Sequence, residues 1–272
     1  MSSNSGWPEA STESAPITVS QQISLPAEAG ENPAWTGWDV LRIAALTLAM
    51  IFAFVLLVTI GAQRLVYPKL SIMDVAKMPM ISVVAQLGAY LVVLAFMYTV
   101  ATRNGKRFSE AVSWNWPGWS ALAYLGAGVA FSVALQGLAH LLPMPKSLPI
   151  DKFFQTPAQA WVLTIFGMTL APLLEELFFR GFLYPVLARR LGTIFAVVLT
   201  ASGFALIHEA QLGRAWGPVL IVFLIGLTLT VIRAVTKSVA AGVITHVAYN
   251  GTISVLVFIV SGGFRHLDRI TQ

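Results

Sequence analysis

The sequence contains no cysteine, which excludes disulfide frameworks, thiolate metal sites and cysteine nucleophiles. It is also poor in charge. Asp, Glu, Lys and Arg make up 11% of its 272 residues, while hydrophobic residues make up 57%. An ordinary soluble chain has roughly 25% and 45–50% of these. A water-soluble globule of this size cannot hide that excess, so a soluble domain, a disordered chain and a charged nucleic-acid binder are excluded. The composition is that of a polytopic membrane protein. The formal charge of +5 calls for no nucleic acid, because basic residues are expected between membrane helices. Chemistry must come from Glu, His, Ser, Asn or Arg.

What is present is a series of apolar runs, at about 39–62, 80–101, 118–142, 158–190, 193–208, 217–233 and 239–262. Their uninterrupted apolarity predicts helices, since lipid-facing barrel strands would alternate with polar residues. The fold class is therefore all-α, a transmembrane bundle of about seven spans, or eight if the fourth run is two pieces. Residues 1–36, rich in Ser, Glu, Pro and Ala, read as a disordered tail without a cleavable signal peptide. Residues 37–157 hold the first transmembrane helices, 158–262 the polar-bearing core, and 263–272 a short C-terminal tail. The lipid bilayer is the first partner, and a multi-pass protein of a bacterial plasma membrane is the expected setting. Lys and Arg divide eight against eight between the two faces. Their tighter packing on the face of the tail leans that face towards the cytoplasm.

The fourth run is too long for one span, since its 33 residues would measure roughly 50 Å as helix. Pro172 lies in its middle, where it supplies no N–H and frees the carbonyl of Met168. A kink at Pro172, or two shorter pieces, is the expectation.

Charge inside the bilayer is the sharper signal. Glu175, Glu176 and Arg180 alone lie well inside an apolar run, and each charge at mid-bilayer costs about 2.5–3.5 kcal/mol on insertion scales. Glu176 and Arg180 are four apart and can pair on one helix face. Glu175 is left over. It has company: His208 ends the fifth run in Phe204-Ala-Leu-Ile-His208, and His246 and Asn250, again four apart, lie in the last. If the chain turns at Leu191-Gly192, Glu175 and His208 both lie about 24 Å from the turn and can face each other.

A carboxylate beside a histidine can deprotonate a water, and a second His with an Asn can stabilise an oxyanion. Alternatively, Glu175, His208 and His246 could ligate a zinc with one open position. Both readings are hydrolytic. Other intramembrane proteases fit poorly. His208-Glu209-Ala-Gln-Leu212 lacks the second His of a zincin, the four aspartates lie at ends or joints, and Thr200-Ala-Ser-Gly203 lacks a glycine of the rhomboid turn. Ser202 with His246 stays a remote candidate. Outside enzymes, a membrane scaffold or regulator whose polar residues only brace the bundle is the alternative. A proton-coupled transporter is weaker, because no internal repeat is found.

Glu175-Glu176-x-x-x-Arg180, Phe204-x-x-x-His208 and His246-x-x-x-Asn250 resemble the three motifs of the CPBP family. These are the CAAX-processing and bacteriocin-processing membrane proteases, also called the Abi or type II CAAX prenyl endopeptidase family. The stretch Glu-Glu-Leu-Phe-Phe-Arg-Gly-Phe-Leu-Tyr184 extends the match, which covers about 158–262. The resemblance implies an intramembrane endopeptidase in which Glu175 is the general base on water, assisted by His208. His246 and Asn250 are then oxyanion donors, and Glu176, Arg180 and Phe204 support the site. It implies a peptide or lipidated protein as substrate and leaves the need for zinc open.

Overall fold

A helix satisfies every backbone group within itself, which makes it the one element an isolated apolar run can form in lipid. The computed structural model describes residues 31–267, and among them it is helical with no strand. The long helices are α1 (Gly37–Leu65), α2 (Pro79–Thr102) and α3 (Ala121–Ala139). The fourth run comprises α4 (Pro157–Met168), α5 (Leu170–Glu176), a π segment (Leu177–Leu183) and α6 (Tyr184–Leu191). Then follow α7 (Thr193–His208), α8 (Trp216–Thr236) and α9 (Val239–Val260). Among the described residues six segments are long and apolar enough to cross a membrane, with Pro157–Leu191 counted as one; α7 is apolar but shorter. The expected bundle of about seven spans is thus six long spans and a short helix.

Local chemistry sets the boundaries. Pro79 and Pro157 open α2 and α4, where a missing N–H costs nothing. Ser238 caps α9 by accepting the Ala241 N–H at 3.1 Å. Gly192, at φ +79°, turns the chain between α6 and α7. Helix α3 packs closely on α9 because Gly128 has no side chain; a Cβ there would stand 2.7 Å from Ala248 Cβ and collide with the Thr245 carbonyl. Leu48, Phe52, Ile194 and Val235 point outward, as a lipid-facing surface requires.

The fourth run breaks at Thr169, not at Pro172. Thr169 has φ −119° and ψ −72°, and its own N–H still reaches Ile165 at 3.1 Å. The proline acts one turn ahead of itself: it offers no N–H to Met168, so regular helix ends in the preceding turn and restarts. The π segment that follows has no counterpart among the sequence expectations. Such insertions bulge a helix by one residue and recur at functional sites.

Residues 31–36 depart from the unstructured tail expected there, whose first 30 residues lie outside the described ones. Buried Arg233 holds the Glu31 carboxylate at 2.7 and 3.1 Å. Arg189 donates to the Pro33 carbonyl at 3.2 Å, Arg103 donates to the Ala34 carbonyl, and Trp35 Nε1 donates to the Phe182 carbonyl at 2.9 Å. This strap lies at the end of the bundle where Asn115 donates to the Lys237 carbonyl at 2.7 Å. At the other C-terminal boundary Phe264 is buried, edge-on to Trp161 and Phe258.

Candidate active site

Arg180 sits in the π segment, four residues after Glu176. Its Nη1 donates to Glu176 Oε1 at 2.8 Å, its Nη2 to the Gly226 carbonyl at 2.8 Å and its Nε to Thr230 Oγ1 at 3.2 Å. The guanidinium carbon lies 4.7 Å from the centroid of the Phe204 ring. Both members of the ion pair are 0% exposed, so pairing and hydrogen bonding must carry the whole desolvation cost. Glu176 Oε1 also faces His246 Nδ1 at 3.0 Å, while Oε2 is buried without a partner among the described residues. Gly242 makes room for that oxygen, since a Cβ there would stand 2.8 Å from it. Glu176 therefore joins α5, the π segment and α9 in one polar knot.

Glu175 turns the other way. Its side chain is 22% exposed and accepts no hydrogen bond within the described residues. Two imidazoles face it: His208 Nε2 lies 3.8 Å from Oε1 and His246 Nε2 lies 3.8 Å from Oε2. These gaps exceed a direct hydrogen bond. His208 comes from the last residue of α7, where its Nδ1 lies 2.8 Å from the Phe204 carbonyl. A carbonyl only accepts, so Nδ1 carries the hydrogen and the Nε2 of a neutral ring presents a lone pair to Glu175. Phe204 packs both histidines, with ring centroids 4.8 Å from His208 and 5.8 Å from His246.

Asn250 stands one turn beyond His246 on α9. Its Nδ2 donates to the Gly167 carbonyl at 2.7 Å, a group left over by the break at Thr169. One of its two N–H bonds is so used, and the other is free for the cavity that both residues line. The cavity has a volume of about 400 Å³ and is walled by α2, α4, α7 and α9. Ile150, Phe153 and Phe154 line it from the connection between α3 and α4, which is tied to the loop after α7 by Ile150 N–H donating to the Gln211 carbonyl at 3.2 Å.

All seven residues singled out in the sequence thus meet around one cavity or its supporting knot. Ser202 does not: its hydroxyl donates back to the Val198 carbonyl in its own helix at 2.9 Å. Glu209 falls past the end of α7. The described aspartates Asp39, Asp74 and Asp151 each lie in the first turn of a helix. No group of three His, Asp or Glu among the described residues is arranged as a ready metal site; zinc ligation by Glu175, His208 and His246 stays an expectation from the sequence. Sequence reasoning missed Thr230, Gly226 and Gly242, which complete the Arg180–Glu176 knot, and Tyr90, which lines the cavity beside Glu175. A tyrosine within the apolar run 80–101 is a signal for the last; a lone Thr or Gly in a membrane helix is not.

A family model described as Rce1-like, type II CAAX prenyl endopeptidase, matches residues 157–252. No curated protein and no solved structure matches the chain. The matched stretch runs from the first residue of α4 to two residues past Asn250 and so contains Glu175, Glu176, Arg180, Phe204, His208, His246 and Asn250. The part of this multi-pass bundle that builds the constellation, residues 157–252, is thus similar to the Rce1-like family of type II CAAX prenyl endopeptidases.

Proposed function

We propose that the protein is an intramembrane endopeptidase of a bacterial plasma membrane that hydrolyses a peptide bond with a water held between Glu175 and His208. The observation that carries this reading is the 3.8 Å gap between Glu175 Oε1 and His208 Nε2. With Nδ1–H committed to the Phe204 carbonyl, both groups across the gap are acceptors, and neither can bond the other. A water between them donates one hydrogen to each, which aims its own lone pair at the cavity. Polar groups separated by more than about 3.5 Å in this manner are commonly bridged by water.

Glu175 then takes the proton as the water attacks the substrate carbonyl and returns it to the departing amine, with His208 fixing the water's direction. Charge grows on the carbonyl oxygen. His246 has Nδ1 against Glu176 Oε1 at 3.0 Å and Nε2 turned to the cavity, 3.8 Å from Glu175; with a hydrogen on each nitrogen it donates one to Glu176 and offers the other to the substrate. Its Nε2–H and the free Asn250 N–H are the oxyanion donors. Glu176 and Arg180 touch no reacting atom; they hold His246 in place. The substrate is a peptide or lipidated protein able to enter the membrane.

The test is the full-length protein reconstituted in lipid, with peptide termini of co-reconstituted membrane proteins sequenced for the wild type, Glu175→Gln and His208→Ala. New termini with the wild type, absent with both variants, are expected. Identical termini from all three would leave the scaffold reading in place. Cleavage abolished by a chelator and restored by zinc would replace the bridging water with a metal.

A further inference from the structure

Three polar side chains of the span α2 share one face. Ser82, Gln86 and Tyr90 follow each other at intervals of four, and all three line the cavity that holds Glu175. Helix α9 answers from across the cavity with His246, Asn250 and Ser254, again four apart. The two stripes are set against the same helix: Tyr90 stacks on Phe166 of α4 at 6.1 Å and 9°, and Asn250 bonds the carbonyl of the next residue, Gly167. Both lead away from the strap. Arg103, which holds the strap, follows the C-terminal end of α2, while α9 starts at the strap end with Val239. Gln86 and Ser254 therefore lie one turn farther out than Tyr90 and Asn250, with Thr164 of α4 beside them on the wall, and Ser82 lies one turn beyond.

These outer groups lack the usual partners of polar side chains in lipid. Thr47, Ser202, Thr245 and Thr252 each donate to the carbonyl four residues back, whereas among the described residues the side chains of Ser82, Gln86, Thr164 and Ser254 make no hydrogen bond. A polar group at membrane depth needs water or a ligand in place of such a bond. No Lys, Arg or Asp lines the cavity among the described residues, so the outer groups suit a neutral partner.

We propose that the α2 stripe, centred on Gln86, is a track that binds the main chain of an extended peptide on the side of the scissile bond that points away from the strap. Spacing supports this occupant. Four residues of helix rise about 6 Å, and in an extended chain the N–H and C=O groups that face one side recur every second residue, at about 6.7 Å. A glutamine amide holds one acceptor and a pair of donors, so Gln86 can bond both the N–H and the C=O of one residue, as a neighbouring strand would. From Tyr90 to Ser82 the track measures about 12 Å, which is the length of about four extended residues. Because the track reads the main chain, it tolerates varied side chains in that stretch. It belongs to α2, outside the matched residues 157–252. The position of the scissile bond rests on the proteolytic reading; the binding of peptide does not.

The absence of cysteine supplies the experiment. Val257→Cys, made in the full-length Glu175→Gln chain in lipid nanodiscs, places a single thiol on the cavity wall outside the track. Its alkylation rate by N-ethylmaleimide is followed by intact mass. The competitors are acetylated, amidated alanine peptides of increasing length, and the matching esters in which lactic acid replaces every alanine. The esters keep the shape and have no N–H. Protection by the peptides should grow with length and level off near four residues, and the ester of that length should protect about tenfold less, the worth of one good hydrogen bond or more. Gln86→Met, close in shape but without the amide, should erase the difference between peptide and ester, and Ser82→Ala should reduce it. Equal protection by peptide and ester, as expected if the stripe only holds water, would overturn the track. So would a difference that survives Gln86→Met, or no protection by any peptide. Proteolysis is scored separately on chains with Glu175 intact, where Gln86→Met should raise KM by more than it lowers kcat. If these chains cleave nothing while the peptide is still preferred to its ester, the proteolytic reading falls and the track stands. Cleavage without that preference has the opposite meaning.

Discussion

Two places in this molecule bury an arginine beside a glutamate and over an aromatic ring, and they serve different ends. Arg180 pairs with Glu176 at 2.8 Å over Phe204. Arg233 pairs with Glu31 at 2.7 Å over Tyr184, with its carbon 5.4 Å from the ring centroid. The first pair lies within one helical turn and stiffens the helix that carries Glu175. The second pins the strap 31–36 to the end of the bundle, and Lys237 adds a second cation 3.8 Å from Glu31. Each pair engages its own carboxylate, although Glu176 Oε2 keeps no partner among the described residues. Only the first leaves another carboxylate beside it, unbonded, on the wall of a cavity. A buried charge pair is thus scaffolding in both regions, and chemistry belongs to the neighbour that the pair does not use.

The same substitution made in both regions breaks or sharpens this contrast. Glu175→Gln should lower the rate of peptide hydrolysis by roughly 10²–10⁴-fold, the usual worth of a general base, and leave the thermal midpoint of the detergent-solubilised protein unchanged. Glu31→Gln should do the reverse, lowering the midpoint and sparing kcat. Equal losses of rate in the two variants would erase the distinction.

Stability gives the next contrast. Arg180→Ala strands Glu176 and His246 in a site with no access to water, and breaking such a buried pair typically costs about 3–5 kcal/mol. Arg233→Ala should cost less, roughly 1–3 kcal/mol, because the Glu31 side chain is 13% exposed and keeps Lys237. Denaturant titration of both proteins in the same micelle measures the difference, and a larger loss for Arg233→Ala would reverse the ranking.

The two asparagines make a finer pair. Asn115 and Asn250 each donate Nδ2 to a carbonyl of another segment at 2.7 Å, so removing either side chain leaves one carbonyl unpaired. Asn250→Ala should also remove an oxyanion donor and lower kcat by roughly 10²–10³-fold with little change in KM. Asn115→Ala should leave kcat as it is. A fall in KM affinity without loss of kcat for Asn250→Ala would make that residue a structural brace like its counterpart.

The contrast also explains what could be read from the sequence. Glu176 and Arg180 were legible because a spacing of four places them on one helix face whatever the fold, and His246 with Asn250 for the same reason. Convergence of His208 on Glu175 followed from equal distances to one turn. Glu31 and Arg233 are 202 residues apart, and no periodicity relates a polar tail to the end of the eighth helix. The break at Thr169 was foreshadowed by Pro172 but displaced by one turn, because a proline disturbs the carbonyl four residues before it. Nothing in local composition announces the π segment, whose Arg180 and Phe182 carbonyl take their partners from distant segments.

The smallest effect lies where the two regions touch. Trp35 of the strap donates its indole N–H to the Phe182 carbonyl at 2.9 Å, and its ring lies 4.5 Å from that of Phe182. Phe182 belongs to the π segment, two residues after Arg180. Trp35→Phe removes the donor and keeps an aromatic ring, so the cost should be close to one hydrogen bond, about 0.5–1.5 kcal/mol, read as a shift in the unfolding midpoint. If the strap merely covers the end of the bundle, kcat stays at the wild-type value. A severalfold fall in kcat at unchanged KM, restored by no increase in substrate, would mean that strain in the π segment reaches Arg180, then Glu176 and His246. Scaffold and chemistry would then be one network, and the strap would be part of the machinery it lies 147 residues away from in sequence.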